Sequence, residues 1–259
     1  MQNLNGKRVV ITGGSQGLGL AMVEALAACG ANVTAIGRDR ARLATAEQAG
    51  AAVITGDATD AALMNRAVRE EAPDVLILNA GARLPMKPID QQSWEEFSTA
   101  WNTDVKAGLI GIQAALNTPM KPGGRVLVMS SGASMVLAVP FIAPESLRLS
   151  GGYIGAKRML WFMAHSANAV SRERGLGLQF QVLVPCQLIP GTTLGYQVAA
   201  AYAAIEGVSI DEHVMQRYGS ILRPAQVGER VAELLGDPRY TRGVAYGFRS
   251  DTDILPLDV

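Results

Sequence analysis

The 259-residue chain is short of the residues on which several kinds of chemistry depend. It has two cysteines, Cys29 and Cys186, too few for a disulfide scaffold and without CxxC spacing. Adding only His165 and His213 leaves too few ligands for a structural zinc site. Lys and Arg (23) balance Asp and Glu (23), so no excess charge draws in nucleic acid or anionic lipid. No run approaches the roughly 18 apolar residues of a membrane span. The best candidate, Met135 to Ala143, is short and carries Pro140. Met1 leads through polar Gln2, Asn3 and Asn5, which is unlike a signal peptide. These absences imply a reduced, cytoplasmic protein with neither a nucleic-acid nor a membrane partner.

What remains is a well-cored chain, 49% hydrophobic with 28 glycines, in which short β-branched runs alternate with helix-length stretches. The runs at Arg8–Thr12, Asn32–Ile36, Ala52–Ile54, Asp74–Leu78, Arg125–Met129 and Gln179–Val184 predict strands. Several lack polar alternation, as strands covered on both faces do. Leu18–Cys29, Arg40–Ala49, Asp60–Glu71, Trp94–Leu116 and Gly155–Arg174 predict helices. The alternation reads as α/β, a Rossmann-type doubly wound parallel sheet flanked by helices. No linker or repeat divides the chain, so residues 1–259 read as a single domain. Two stretches break the pattern: about 132–152, apolar with Pro140 and Pro144, and about 187–222, with a helix-like piece at Tyr196–Ile205. Such long excursions suit a substrate loop and a lid.

The turn Thr12-Gly-Gly-Ser-Gln-Gly-Leu-Gly19 joins the first strand to the first helix. A P-loop would close on Gly-Lys-Ser/Thr, whereas Leu20 and Ala21 follow Gly19. Gly13-Gly-Ser15-Gln-Gly17 formally fits a nucleophile elbow, but that elbow usually follows several strands, and only 14 residues precede Ser15. Dinucleotide binding is the third reading. Glycines let backbone N–H groups approach a pyrophosphate at a helix N-terminus, although the Gly13-x3-Gly17-x-Gly19 spacing is not the standard GxGxxG.

Farther on, Asn79-Ala80-Gly81, Asn102, Ser131 and Tyr153-x3-Lys157 follow in order. Together with the glycine turn they resemble the short-chain dehydrogenase/reductase family, in its small single-domain branch, from Gly6 to about Gly247. Chemistry supports the central pair independently. Tyr153 and Lys157, four apart, share one face of a helix. A phenol titrates near 10, and a neighbouring ammonium draws that value toward the range useful for acid–base catalysis.

The resemblance implies an oxidoreductase exchanging a hydride between NAD(P) and a small carbonyl or secondary alcohol. Tyr153 would move the proton, Lys157 would also hold the nicotinamide ribose, and Ser131 would hydrogen-bond the substrate oxygen, with Ser130 and Ser134 as rivals. Asn102 would anchor a water-mediated relay to Lys157. Gly13, Ser15, Gln16, Gly17, Leu18 and Gly19 would form the phosphate turn; Asn79, Ala80, Gly81 and Pro185 would lie along the cofactor, and Asp57 against the adenine. At the end of the second strand Ile36-Gly37-Arg38-Asp39 puts Gly where NAD-preferring members carry an acid, and Arg38 beside it suits the 2′-phosphate of NADP. Asp39 keeps NAD open as the alternative.

Two departures stand out. Pro185-Cys186 replaces the family's Pro-Gly, and Pro190 occupies its nicotinamide-contacting Thr, with Thr192 and Thr193 slightly later. Cys186 reads as an apolar filler. Ser131 and Tyr153 are 22 residues apart, longer than usual for the branch, and the apolar insertion suits an apolar substrate, a subunit interface or simple packing. Long helices of the family pair between subunits, which implies a homodimer or homotetramer. A catalytically idle dinucleotide-binding sensor or scaffold is the rival reading.

Overall fold

The β-branched runs become strands of one sheet, and cover on both faces explains their lack of polar alternation. The computed structural model describes residues 3–135, 149 and 151–258. Seven strands, β1 (Arg8–Thr12), β2 (Asn32–Gly37), β3 (Ala52–Thr55), β4 (Val75–Leu78), β5 (Arg125–Met129), β6 (Gln179–Pro185) and β7 (Ala245–Phe248), run parallel in the order β3-β2-β1-β4-β5-β6-β7. A two-residue β8 (Leu255–Pro256) pairs antiparallel with β7.

Side chains along each strand divide between two cores. Val9 and Ile11 of β1 pack with Met22, Val23 and Leu26, whereas Val10 packs with Met64 and Val68. On β5, Leu127 and Met129 face the first core and Val126 and Val128 the second. Helices α1 (Gly17–Ala28), α2 (Arg40–Gln48) and α9 (Pro224–Gly236) cover the first face. Helices α3 (Ala61–Glu71), α5 (Lys106–Asn117) and α6 (Gly151–Glu173) cover the second. Helices α1 and α9 approach closely because Gly228 has no side chain; a Cβ there would stand 2.4 Å from the Ala21 carbonyl oxygen.

Arg125, at the start of β5, is buried with no carboxylate partner among the described residues. Its Nε donates to Gln181 Oε1 (2.9 Å) and its Nη1 to the Leu234 carbonyl (3.0 Å), near the end of α9. Burial pushes its pKa down to about 10.

The helix expected over Trp94–Leu116 is divided. A short α4 (Trp94–Phe97) is followed by a π-helical turn at Trp101–Val105 and then α5. A wider turn shifts the register of everything after it, and here it turns Asp104 inward while Asn102 stays exposed. The irregular stretch 187–222 folds as α7 (Thr193–Glu206) and α8 (Ile210–Tyr218), the latter opened by a Ser209–Glu212 capping box. Within the expected insertion, Gly132–Met135 forms a 3-10 turn; residues 136–148 and 150 lie outside the described residues.

Candidate functional site

Two cavities, of about 490 and 250 Å³, meet beyond the carboxyl ends of the central strands, where the strand order reverses. The smaller runs from the glycine turn to Lys157 and takes in most of the residues nominated for a cofactor.

Gly13 (φ +70°) and Gly17 (φ +55°) hold the left-handed backbone that folds the turn back on itself. Ser15, Gln16 and Leu18 line the groove with them. Gly19 does not: it is packed beneath, where a Cβ would stand 2.0 Å from the Gly13 carbonyl oxygen. No side chain caps α1 and no acid lies in its first turn, so its leading N–H groups are free to meet an anion. The residues therefore fit a pyrophosphate.

Arg38 and Asp57 line the far end of the groove, with Arg38 Nη1 3.9 Å from Asp57 Oδ2 and its side chain 74% exposed. Hydrogen bonds from the Thr59 backbone and hydroxyl hold the Asp57 carboxyl below its ordinary value, aided by the Arg38 charge. Asp39 faces another task. It caps α2 by accepting from the Ala41 and Arg42 amides, and its other oxygen lies 3.2 Å from Arg42 Nε. Asn79, Ala80 and Gly81 line the middle of the groove. The Asn79 side chain donates to the Thr12 carbonyl (3.2 Å), tying the end of β4 to that of β1.

Tyr153 lines both cavities. One turn along α6, Lys157 is buried with its Nζ 5.6 Å from the Tyr153 ring centre. That Nζ donates to the Met129 carbonyl (3.1 Å) and stands 3.0 Å from Asp104 Oδ2. Burial alone would lower the Lys157 pKa, but the charges of Asp104 and Tyr153 outweigh it and the net direction is upward.

Asn102 is not part of this cluster. It is exposed and its amide donates to Ser98 Oγ (3.1 Å). Asp104 holds the place beside Lys157 that a relay group needs, and its other oxygen accepts from the Ala82 amide (2.8 Å). The signal for Asp104 was present in helical periodicity. Asp104, Ala107, Gly108 and Gly111 form one buried stripe at spacings of three and four, with a single acid among small residues, and Asn102 lies off it.

Among the serines after β5, Ser130 donates to the Lys157 carbonyl (2.9 Å) and Ser134 to the Ser131 carbonyl. Ser131 Oγ accepts from the Ala133 amide and lines the larger cavity beside Tyr153. That cavity also takes in Pro185 and Cys186, apolar Ile154, Leu188, Ile189, Leu194 and Val198, and the polar His213, Arg217 and Arg249. Pro185 thus lies on the larger cavity and not on the groove. Burial pushes the Cys186 thiol up, which removes it as a nucleophile near neutrality. Thr192 lines both cavities and caps α7, while Thr193 lines the groove.

Among the described residues no cluster of His, Cys, Asp and Glu could hold a metal, and no helix is long and apolar enough to cross a membrane.

The profile of the family described as short chain dehydrogenase matches residues 7–143, more than half of the 259. An L-fucose dehydrogenase of Rattus norvegicus is 26% identical over 253 residues, covering 93% of this chain and 87% of the relative. A gluconate 5-dehydrogenase of Gluconobacter oxydans is 31% identical over 155 residues, covering 55% of this chain and 59% of the relative. A short chain dehydrogenase from Burkholderia cenocepacia, solved in complex with NADP, superposes with a TM-score of 0.73 at 23% identity, covering 97% of this chain and 98% of that one.

Proposed function

The chain belongs to the short-chain dehydrogenase family, and on that premise we propose how its residues divide the work of an NAD(P)-dependent oxidoreductase acting on a carbonyl or secondary alcohol. When bound, the nicotinamide supplies or takes the hydride. The chain's own part is to hold reactants and to move a proton.

Tyr153 carries the proton to or from the substrate oxygen. The supporting observation is its position: it stands on both cavities, one turn from a buried Lys157. Ser131, on the same wall of the larger cavity, donates its hydroxyl to the substrate oxygen as charge develops there. Lys157 keeps a fixed positive charge beside Tyr153 and reaches the ribose side of the groove. Asp104 fixes Lys157 from behind and takes the positioning role that the sequence had given to Asn102. The glycine turn and the open start of α1 hold the pyrophosphate, with Gly19 keeping the turn in shape from below. Asp57 takes the adenosine end, and Thr192 and Thr193 take over nicotinamide contact from the position filled by Pro190.

We assign NADP over NAD. Arg38 is exposed at the adenosine end, whereas Asp39, the acid that would favour NAD, is occupied as the α2 cap and as the partner of Arg42. The superposable Burkholderia protein was solved with NADP, which agrees with this choice. An idle sensor would have no need of a buried Lys157–Asp104 pair at the junction of two cavities. A homodimer or homotetramer in the cytoplasm completes the proposal, supported by Leu109 on α5 and Phe162 on α6, both large, apolar and exposed.

The test is NADPH consumption with a panel of ketones and aldehydes. Tyr153→Phe should bind NADPH as wild type does and lose roughly 10²–10⁴-fold in turnover. Full activity in that variant would remove Tyr153 from the mechanism.

A further inference from the structure

The larger cavity has chemically different ends. Near Tyr153 its wall is largely apolar, with Ile154, Leu188, Leu194 and Val198. Toward α8 it gathers His213, Arg217 and Arg249, and no Asp or Glu is among the described residues that line it.

His213 is 2% exposed. It stacks on Tyr202 with ring centres 6.0 Å apart, and its Nδ1 stands 2.6 Å from Glu206 Oε2. With Nδ1–H donated to that carboxylate, the orientation of the ring is fixed by α7. Its Nε2 is buried and meets no hydrogen-bond partner among the described residues. A buried polar atom without a partner is costly, so a ligand group that meets it is favoured. Arg217 gives its Nε only to the Tyr218 hydroxyl (3.2 Å) and lies beside that ring, with no carboxylate partner among the described residues. Arg249 is held by Asp251 (3.1 Å) and by the Tyr218 carbonyl, which places a second guanidinium on the same wall.

We propose that this end of the cavity is an anion subsite, and that the substrate is a carbonyl or hydroxy compound with an apolar middle and a carboxylate at the end remote from the reacting carbon. Binding takes up a proton, so that the carboxylate accepts from Nε2–H of the His213 imidazolium while Nδ1–H stays on Glu206, and it takes its second contact from Arg217. Arginine is suited to this because its planar fork matches a carboxylate. The proposal rests on the oxidoreductase reading, since it names the substrate class of the same site, but its test does not require turnover.

Binding of hexanoate, hexanamide and hexan-1-ol is measured by calorimetry, both in the presence of saturating NADP and in the free protein. Hexanoate should bind about tenfold or more tighter than hexanamide, which has the same shape without the charge. Arg217→Met, a change at an exposed side chain, should abolish most of that preference, and His213→Gln should reduce it while leaving hexan-1-ol binding unchanged. Equal affinity for acid and amide in wild type overturns the proposal. So does a preference that survives both substitutions, because the acid then binds elsewhere. If NADP fails to bind while the acid preference is present, the oxidoreductase reading falls and the anion subsite stands. If NADPH is consumed with neutral ketones and the acid preference is absent, the reverse holds.

Discussion

Lys157 Nζ stands 3.0 Å from Asp104 Oδ2 with the two side chains 7% and 2% exposed, so the cation beside Tyr153 is compensated by a buried anion. At an effective dielectric near 20, a unit charge 5–6 Å away is worth about 3 kcal/mol, and a carboxylate behind the ammonium cancels part of that. Asp104 also holds Lys157 in its charged form, raising its pKa above the ordinary lysine value.

Replacing Asp104 with Asn keeps the shape and an acceptor for the Ala82 amide but removes the compensating charge. Without it the Lys157 pKa falls, so the alkaline limit of activity should move to lower pH. Stability depends on the same Lys157–Asp104 charge pair. A raised folded pKa at Lys157 stabilises the fold fully below the unfolded lysine value and is lost as pH rises through the folded one. Asp104→Asn should therefore melt lower than wild type at neutral pH, with the two curves converging on the alkaline side. Rate–pH profiles of oxidation and reduction check the first effect and thermal melts the second. Unchanged profiles would show that Asp104 only packs.

Arg38→Asp should invert cofactor choice. It replaces a charge that meets a 2′-phosphate with one that repels it and can accept from a ribose hydroxyl. The ratio of kcat/KM for NADP over NAD should fall by about two orders of magnitude, equivalent to roughly 2.7 kcal/mol. A ratio that does not move would transfer the role to a nearby cation, with Arg42 first, since its Nη1 donates to Gln16 (2.9 Å), which lines the groove.

The parts that were legible in the sequence are those set by short-range rules. Val9, Val10 and Ile11 announce a strand covered on both faces because no polar residue interrupts them, and the two cores each take alternate members. Tyr153 and Lys157 share a helical face whatever surrounds them. Asn102 shows where such rules stop. Its position relative to Lys157 depends on a π-helical turn, and one displaced residue per turn moves a side chain from the buried stripe to solvent. The His213–Glu206 contact lay out of reach for a related reason. It joins α7 to α8, and α8 was hidden in a stretch read as irregular.

Phe162 and Leu109 test the assembly. Phe162 is 67% exposed on α6 and Leu109 44% on α5. Phe162→Glu should halve the mass measured by light scattering, or reduce it to a quarter, because a charge at the centre of an apolar contact costs several kcal/mol. A wild-type protein that is already monomeric at micromolar concentration would contradict the proposed homo-oligomer.

Arg125 offers a stability prediction away from the site. Its guanidinium joins β5, β6 through Gln181, the end of α9 and the Tyr240 carbonyl, all within the buried interior. Arg125→Leu fits the apolar surroundings but leaves Gln181 Oε1 and the Leu234 carbonyl without their donor, while the Tyr240 carbonyl keeps Gln181 Nε2 (2.8 Å). Each unsatisfied acceptor costs about 1–3 kcal/mol, offset in part by the charge no longer being buried, for a net loss of about 2–4 kcal/mol. At roughly 2–4 °C per kcal/mol for a chain of this size, the melting temperature should fall by about 5–15 °C. Because none of these groups lines either cavity, kcat and KM measured well below the transition should match wild type. An unchanged melting temperature would mean that the guanidinium's desolvation cancels its hydrogen bonds.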